Sequence, residues 1–402
     1  MSSPAKRFVL VSSYFPPIVG GTSTVMRNLL SAFRPEAVTV VSETLGVLEG
    51  GHNASPLPGV TVRRTGVPDF IKRLPYGVRL ARIARFALAG RVERMIHEET
   101  RRGAERIISV YPSWPFFIAA YRAHLRTGVP LYTYQMDVTG PSEMMRGPNI
   151  RICRKWERTI LATAARPLVL TDALAADLQR RFGMESTVIP HSIRPATPLP
   201  VGADLPVIGL LGERLIVHTG VVEQQASGGL LRIADVIGNH PEWNARLVLC
   251  TPSNKEYLLA NGFDRPFITI VSLRDEQVQA LQKNACLLIA VVSFHRSDEP
   301  DFESTIFPTK VIEYMTTGLP IFVHAPPRSF LARDARRHGY AIVADSKDEA
   351  VIGGTLRDAL EDGDLRARLA ARGSAVVAET FSVEKVAARF VAACNLDPAI
   401  LN

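Results

Sequence analysis

The stretch Phe8-Val9-Leu10-Val11, interrupted by Pro16-Pro17 and Gly20-Gly21 and followed by Val25, Met26, Leu29, Leu30 and Phe33, decides the fold class. The four apolar residues form a strand, the Pro and Gly pairs break it, and the later apolar residues recur at helical spacing. Thr22 or Ser23 is expected to cap that helix. Val38 to Ser42 reads as the next strand, so the chain opens with a β-α-β unit and a parallel sheet. The alternation continues through Arg106 to Val110, Leu131 to Tyr134 and Leu168 to Leu170.

Four prolines in residues 195–206 mark a stiff linker. Beyond it the pattern restarts, with apolar runs at Leu215 to His218, Ala245 to Cys250, Phe267 to Val271, Cys286 to Val292, Ile321 to His324 and Ala341 to Val343. A chain of 402 residues is long enough for two domains, each with its own core. The expected α/β architecture is therefore two Rossmann-like domains, 1–195 and 207–381, joined by the linker 196–206. The stretch from Ser382 to Cys394 reads as an amphipathic helix with Val386, Phe390 and Val391 on one face, and residues 382–402 can return to the N-terminal domain.

Hydrophobic residues make up 47% and charged ones 21%, which excludes a disordered or fibrous chain. Cys153, Cys250, Cys286 and Cys394 stand far apart, so no zinc cluster or disulfide framework is expected and reduced thiols in a cytoplasmic protein are the simplest reading. No segment reaches the ~18 apolar residues of a membrane span, so any membrane contact must be peripheral.

Residues 305 to 321, TIFPTKVIEYMTTGLPI, carry the strongest chemical signal. Pro308 suits a first helical position, and Gly318 with Pro320 ends the helix before a strand. The amides at the start of such a helix attract phosphate, and Lys310 adds a full charge. Glu313, three residues on, can accept hydrogen bonds from two ribose hydroxyls. An ordinary surface Lys–Glu pair fits the same pattern. The Gly20-Gly21 turn lets backbone amides approach a phosphate, although it does not spell G-x-G-x-x-G and by itself a Gly-Gly turn is usually only a turn.

Taken in order along the chain, these motifs resemble the group 1 glycosyltransferases, family 4, of GT-B architecture, two Rossmann-like domains facing each other across a cleft. Residues 14 to 21 resemble the Pro-Pro, Gly-Gly opening, and Val188-Ile189-Pro190-His191-Ser192-Ile193 resembles the segment closing the first domain. Val271 to Leu281 resembles the segment before the donor-binding strand. The resemblance implies a sugar nucleotide, UDP- or GDP-linked, as substrate, with no cofactor and no metal. It implies Gly20, Gly21 and Gly220 near phosphates, Leu273 beside the base, Thr305, Phe307 and Thr309 near the diphosphate or sugar, Lys310 on the leaving diphosphate and Glu313 on ribose. Asp137 matches an acidic position on the acceptor side, where it orients or deprotonates a hydroxyl; a turn-capping carboxylate is the alternative. Retention of anomeric configuration is also implied.

Two departures from the family pattern stand out. The pattern has an Arg and a Lys after the first strand of the second domain, whereas Thr219 to Gly228 contains no cation. It also has two glutamates with seven residues between them, and Thr305 stands where the first would be. Glu303 is a candidate stand-in, with a solvated acidic loop at Asp298, Glu299 and Asp301 as the bland alternative. Asp362-Gly363-Asp364 reads as turn chemistry rather than a metal site, and the nine histidines show no pair at helical ligand spacing.

Twelve basic residues between Arg63 and Arg106 face five acidic ones, a net +7 of the chain's +8. A helix there would set Leu80, Ala84, Ala87, Leu88, Val92 and Met95 on an apolar stripe, with Arg91 inside it, and Arg79, Arg82, Arg85, Phe86 and Glu93 opposite. With Phe70, Lys72 and Arg73 in the preceding loop, this mixture suits an anionic membrane surface; a helix packed on the sheet with a solvated basic side fits too. The charge excess is too mild to imply nucleic acid. The expectation is a glycosyltransferase serving a glycan or polyprenyl-diphosphate-linked acceptor in cell-surface polysaccharide or glycolipid synthesis, peripheral at the inner face of the membrane. The alternative is a catalytically weak GT-B protein acting as a membrane-associated binding or scaffolding partner. An epimerase or phosphorylase on the same architecture has no motif to support it.

Overall fold

The computed structural model describes residues 7–18, 20–44, 57–67, 77–111, 113–138, 149–194, 208, 212–222, 224–294 and 302–402, without the side chains of 77–86, 149–154, 224–225, 275 and 302. The linker 196–206 therefore lies outside the described residues. The chain divides into two compact units, Met1–Ser192 with Val383–Asn402, and Ile193–Ser382.

The first unit runs β1 (Arg7–Val11), α1 (Gly21–Leu30), β2 (Val38–Glu43), β3 (Thr61–Thr65), α2 (Gly77–Arg101), β4 (Ala104–Tyr111), α3 (Trp114–Thr127), β5 (Leu131–Gln135), α4 (Asn149–Thr163), β6 (Arg166–Val169), α5 (Asp172–Phe182) and β7 (Thr187–Val188). The strands are parallel in the order β3-β2-β1-β4-β5-β6-β7, with Val11 opposite both Val41 and Ser109. Short apolar runs make these strands because a parallel sheet covered on both faces has no polar side. β3, TVRRT, lacks such a run and is not legible as a strand; it sits at the sheet edge, where one flank is open and charge is tolerated.

The second unit runs β8 (Arg214–Thr219), α6 (Gln224–Asn239), β9 (Ala245–Cys250), α7 (Lys255–Leu258), β10 (Ile268–Val271), α8 (Asp275–Lys283), β11 (Leu287–Val291), α9 (Phe302–Thr305), α10 (Lys310–Met315), β12 (Ile321–His324), α11 (Phe330–His338), β13 (Ile342–Ala344), α12 (Glu349–Glu361) and α13 (Gly363–Val376). Its parallel order is β10-β9-β8-β11-β12-β13. Successive side chains on each strand point to opposite faces. Val217, Leu288 and Val323 pack with Ile312 and Met315 on one face, while Ile216, Ile289 and Phe322 pack with Leu230, Ile233 and Leu356 on the other. Gly229 permits the close approach of α6 to β11, since a Cβ there would overlap the Val291 side chain. The architecture is that of two Rossmann-like domains, the α/β class read from the apolar runs.

The last helix, α14 (Val383–Ala393), belongs to the first unit. Phe390 packs edge-on to Phe33 at 5.9 Å and lies 6.2 Å from Phe8 and 6.4 Å from Tyr134. The Arg106 guanidinium donates to the carbonyls of Cys394 (3.3 Å) and Asn395 (3.0 Å), so the end of the chain is tied to β4 by polar as well as apolar contacts. Asp362 accepts from the Leu365 amide at 2.8 Å as the cap between α12 and α13, the turn role expected of the Asp-Gly-Asp stretch.

Candidate functional site

In open α/β sheets ligands sit outside the carboxyl ends of the strands, and in the second unit that end is built around β8. Thr219 closes the strand. Its amide donates to the Tyr314 hydroxyl at 2.9 Å, and its own hydroxyl lies 3.1 Å from the same oxygen. These bonds hold α10 against the end of β8. Gly220 follows with φ +96°, a setting that disfavours a side chain, and a Cβ there would stand 3.2 Å from the Lys310 Nζ. The lysine therefore occupies the space that this glycine leaves.

Lys310 is half-buried, and its Nζ lies 3.0 Å from the Nε2 of His218, which is fully buried. His218 Nδ1 lies 3.1 Å from the Ile289 carbonyl oxygen. Burial pushes the Lys310 ammonium down to about 8, opposed by the attraction of Glu313. Burial, and after it the Lys310 charge, holds His218 well below its usual range. Glu313 is half-buried one turn along α10. The ammonium thus stands at the loop where the sequence carries no cation, delivered from a segment ninety residues away. Sequence reasoning placed Lys310 in a first helical turn but gave no sign of its neighbour, because His218 ends the apolar run Leu215 to His218 and reads as a core residue.

The helix is shorter than expected. α10 begins at Lys310, Thr309 precedes it without a side-chain capping bond, and Pro308 lies outside. The Val311 and Ile312 amides donate to the Pro308 and Thr309 carbonyls at 3.0 and 3.2 Å, so a tight turn consumes two of the amides read as anion donors. Phe307, expected beside the diphosphate or sugar, is only 8% exposed; its ring lies 5.6 Å from Phe330 and 6.3 Å from Phe381 in the core. Thr305 is buried at the end of α9, and Leu273 follows β10, partly buried against the same core. Glu303 is not part of a solvated loop: it is buried with the Arg328 guanidinium 3.3 Å away. Asp298, Glu299 and Asp301 lie outside the described residues.

In the first unit, α1 starts at Gly21 with Gly20 as its cap residue (φ 158°, ψ 160°), and neither Thr22 nor Ser23 caps it. Thr22 is half-buried, while the Ser23 hydroxyl is buried without a partner among the described residues, because the helix begins before either side chain can reach its amides. The Thr24 amide is taken by the Gly20 carbonyl at 3.0 Å, and among the described residues no atom lies within 4 Å of where a Gly20 Cβ would stand. Asp137 lies just beyond β5. Burial pushes its carboxyl up to about 7, against the Val138 amide that donates to it at 2.9 Å. Two residues earlier Gln135, 2% exposed, has both amide atoms unpartnered, a polar feature that the sequence reading missed.

The basic stretch proves mixed. Arg63 pairs with Glu98 (2.6 Å) and Glu99 (3.0 Å), and Arg102 with Glu99 (2.8 Å). Arg64 donates to the Glu43 and Pro16 carbonyls, fastening the proline turn to β3. On α2 the buried residues are Leu88, Ala89, Val92, Glu93, Ile96 and Glu99. Ala87 and Arg91 are exposed, and Glu93 is buried with its carboxylate 3.2 Å from Arg126, so the stripe is rotated by about one residue from its expected position. Arg79, Arg82, Arg85 and Phe86 lie on α2 with side chains outside the described residues, as do Phe70, Lys72 and Arg73 altogether. No helix among the described residues is long and apolar enough to cross a membrane.

Residues 20–191 match the family model of the glycosyl transferase 4-like domain. No curated protein matches the chain. Among solved structures, the chain is similar to a sucrose-phosphate synthase from Thermosynechococcus elongatus, at 17% identity and TM-score 0.67 over 96% of this chain and 97% of that one. It is also similar to Anabaena HepE in complex with UDP and glucose, at 15% identity and TM-score 0.68 over 96% and 98%. A putative UDP-N-acetylglucosamine 2-epimerase from Listeria monocytogenes shares the fold at 15% identity and TM-score 0.57 over 97% and 96%.

Proposed function

We propose that this protein of GT-B fold, whose residues 20–191 match the glycosyl transferase 4-like domain, moves a sugar from a nucleoside-diphosphate donor to a hydroxyl of a glycan or polyprenyl-diphosphate-linked acceptor, with retention and without a metal. The observation that carries this reading is the Lys310 ammonium set against Gly220 at the carboxyl end of β8, with Glu313 one turn behind it. As the bond from the sugar to the diphosphate breaks, negative charge collects on the leaving phosphate. A fixed cation there lowers the barrier most, because it acts in a site shielded from water. Glu313 receives the ribose hydroxyls, and the Gly220 turn, Leu273, Thr305 and Thr309 surround the nucleotide, with only the backbone of Phe307 left to take part. UDP and GDP are the candidate carriers, and HepE is solved with UDP and glucose.

On the first unit, Gly20 and Gly21 offer α1 amides to phosphate oxygens, and Asp137 takes or orients the acceptor proton. A carboxyl near 7 is matched to that task at neutral pH. The scaffolding alternative drew on the missing cation after Gly220, and Lys310 fills that place. The exposed Arg91, Arg94 and Arg101 on α2 support contact of a peripheral protein with the anionic inner face of a membrane, in polysaccharide or glycolipid synthesis.

A thermal-shift screen of nucleotides followed by donor hydrolysis tests the reading. UDP or GDP should raise the Tm by mass action, and Glu313→Ala should weaken that nucleotide and slow hydrolysis. Turnover unaffected by Glu313→Ala contradicts the assignment. For the membrane, Arg79→Glu with Arg82→Glu should abolish co-sedimentation with anionic vesicles at low salt; unchanged binding removes that part.

A further inference from the structure

We infer that His218 is the positioning residue for Lys310: a neutral imidazole, locked in one tautomer by the β11 backbone, that accepts a hydrogen bond from the ammonium and holds it against the Gly220 turn. The inference rests on the reading of Lys310 as the cation for the leaving diphosphate and adds what aims it.

Hydrogen-bond polarity fixes the arrangement. The Ile289 carbonyl oxygen, 3.1 Å from Nδ1, can only accept, so Nδ1 carries the hydrogen. Nε2 then presents a lone pair, and the group facing it at 3.0 Å is an ammonium, which can only donate. The two contacts suit a neutral imidazole and a charged lysine; the other assignment that satisfies both, an imidazolium donating to a neutral amine, is disfavoured because burial holds His218 well below its usual range while Lys310 is lowered only to about 8. An imidazolium would place two cations 3.0 Å apart, with a hydrogen between them and no acceptor.

A lysine stem has four carbons and several rotatable bonds, so an unanchored ammonium would swing to water or toward Glu313 on its own helix. His218 is fully buried and its ring cannot follow such a swing. The Tyr314 hydroxyl, the other polar group of that helix turn, is already bonded to Thr219. The charged group facing Lys310 among the described residues is Glu313, and the ammonium makes no other hydrogen bond there. Two of its three hydrogens therefore remain for phosphate oxygens. The design explains how one lysine does the work of a cation pair: its direction is set before the donor arrives, so little ordering is left for binding.

The test uses isosteric variants of the full chain. His218→Gln keeps both bonds, with its amide N–H toward Ile289 and its oxygen toward Lys310, whereas His218→Met has the same length and neither. Calorimetry with UDP and uridine, and with GDP and guanosine, gives the preference for diphosphate over bare nucleoside. That preference should fall about tenfold in His218→Met and recover in His218→Gln. In a Lys310→Met background the His218 change should have no further effect. The loss of UDP or GDP affinity at alkaline pH, centred near 8 in the wild type, should move to higher pH in His218→Met as the freed ammonium regains water.

An unchanged preference in a folded His218→Met protein, or an equal drop with Lys310 already replaced, overturns the positioning role and leaves the donor reading standing. A wild type that binds neither diphosphate better than its nucleoside overturns the donor reading and the inference with it. The wild type also supplies a measurement independent of variant folding. The His218 ring nitrogens should show the Nδ1–H tautomer by NMR and no titration between about pH 5 and 9; an imidazolium in that range overturns the inference.

Discussion

The two units begin alike, each with a central strand running into a glycine turn and a helix, yet the two turns are furnished differently. At Gly20 no atom of the described residues lies within 4 Å of a notional Cβ, and the ten-residue α1 offers backbone amides with no side-chain cap. At Gly220 the same space is filled by the Lys310 ammonium, brought in from α10. One turn presents partial charges of the backbone, and the other a full charge anchored by the strand that leads into it. The contrast teaches that a glycine turn is legible in the sequence while the charge placed at it is set elsewhere in the chain.

The sharpest way to break the contrast is Lys310→Ala. Removing a full charge from a leaving group should lower the rate of transfer or donor hydrolysis by about 100-fold or more, in line with the ~3 kcal/mol that one lost donor costs. A rate within about threefold of wild type would show that the second turn, like the first, works through its backbone alone.

Next in size is the pH dependence. Asp137 must be ionised to accept a proton, and burial raises it to about 7, so kcat/KM should rise through that pH. Lys310 is lowered to about 8, so its charge and the activity should fall above that value. The resulting bell is narrow. Bound diphosphate favours the ammonium, so the alkaline limb of kcat should lie higher than that of kcat/KM; coincident limbs would place Lys310 away from the phosphates.

Gly220→Ala should cost about 1–2 kcal/mol from its positive φ, displace the lysine and raise the donor KM several-fold, read by Tm and steady-state kinetics. The smaller stability effect belongs to Gly20→Ala, about 1 kcal/mol from its φ of 158° alone, because a methyl group there meets no atom of the described residues. Equal losses of stability in the two variants would erase the distinction between an open turn and a filled one.

Much of the fold was legible because burial on both faces leaves short apolar runs of three to seven residues. The edge strand β3 was not, since TVRRT reads as part of a basic patch. Arg63 and Arg64 instead hold Glu98 and Glu99 on α2 and the carbonyls of Glu43 and Pro16. Phe307 sits within the most specific motif, which drew it into the ligand list, whereas aromatic packing with Phe330 and Phe381 explains its presence. Charge counting could not separate the arginines of this stretch that face water from Arg63 and Arg64, because the partners of those two lie tens of residues away.

By itself the sequence determined the α/β class, the glycine turns and the Lys310–Glu313 spacing, since each follows from local periodicity or from one residue's backbone freedom. Only the tertiary structure decided that Lys310 ends at Gly220, that a buried imidazole holds it, and that Glu303 is paired rather than solvated. Those outcomes depend on which strand ends lie side by side, and parallel β-α-β winding brings together residues whose separation along the chain carries no trace of their contact.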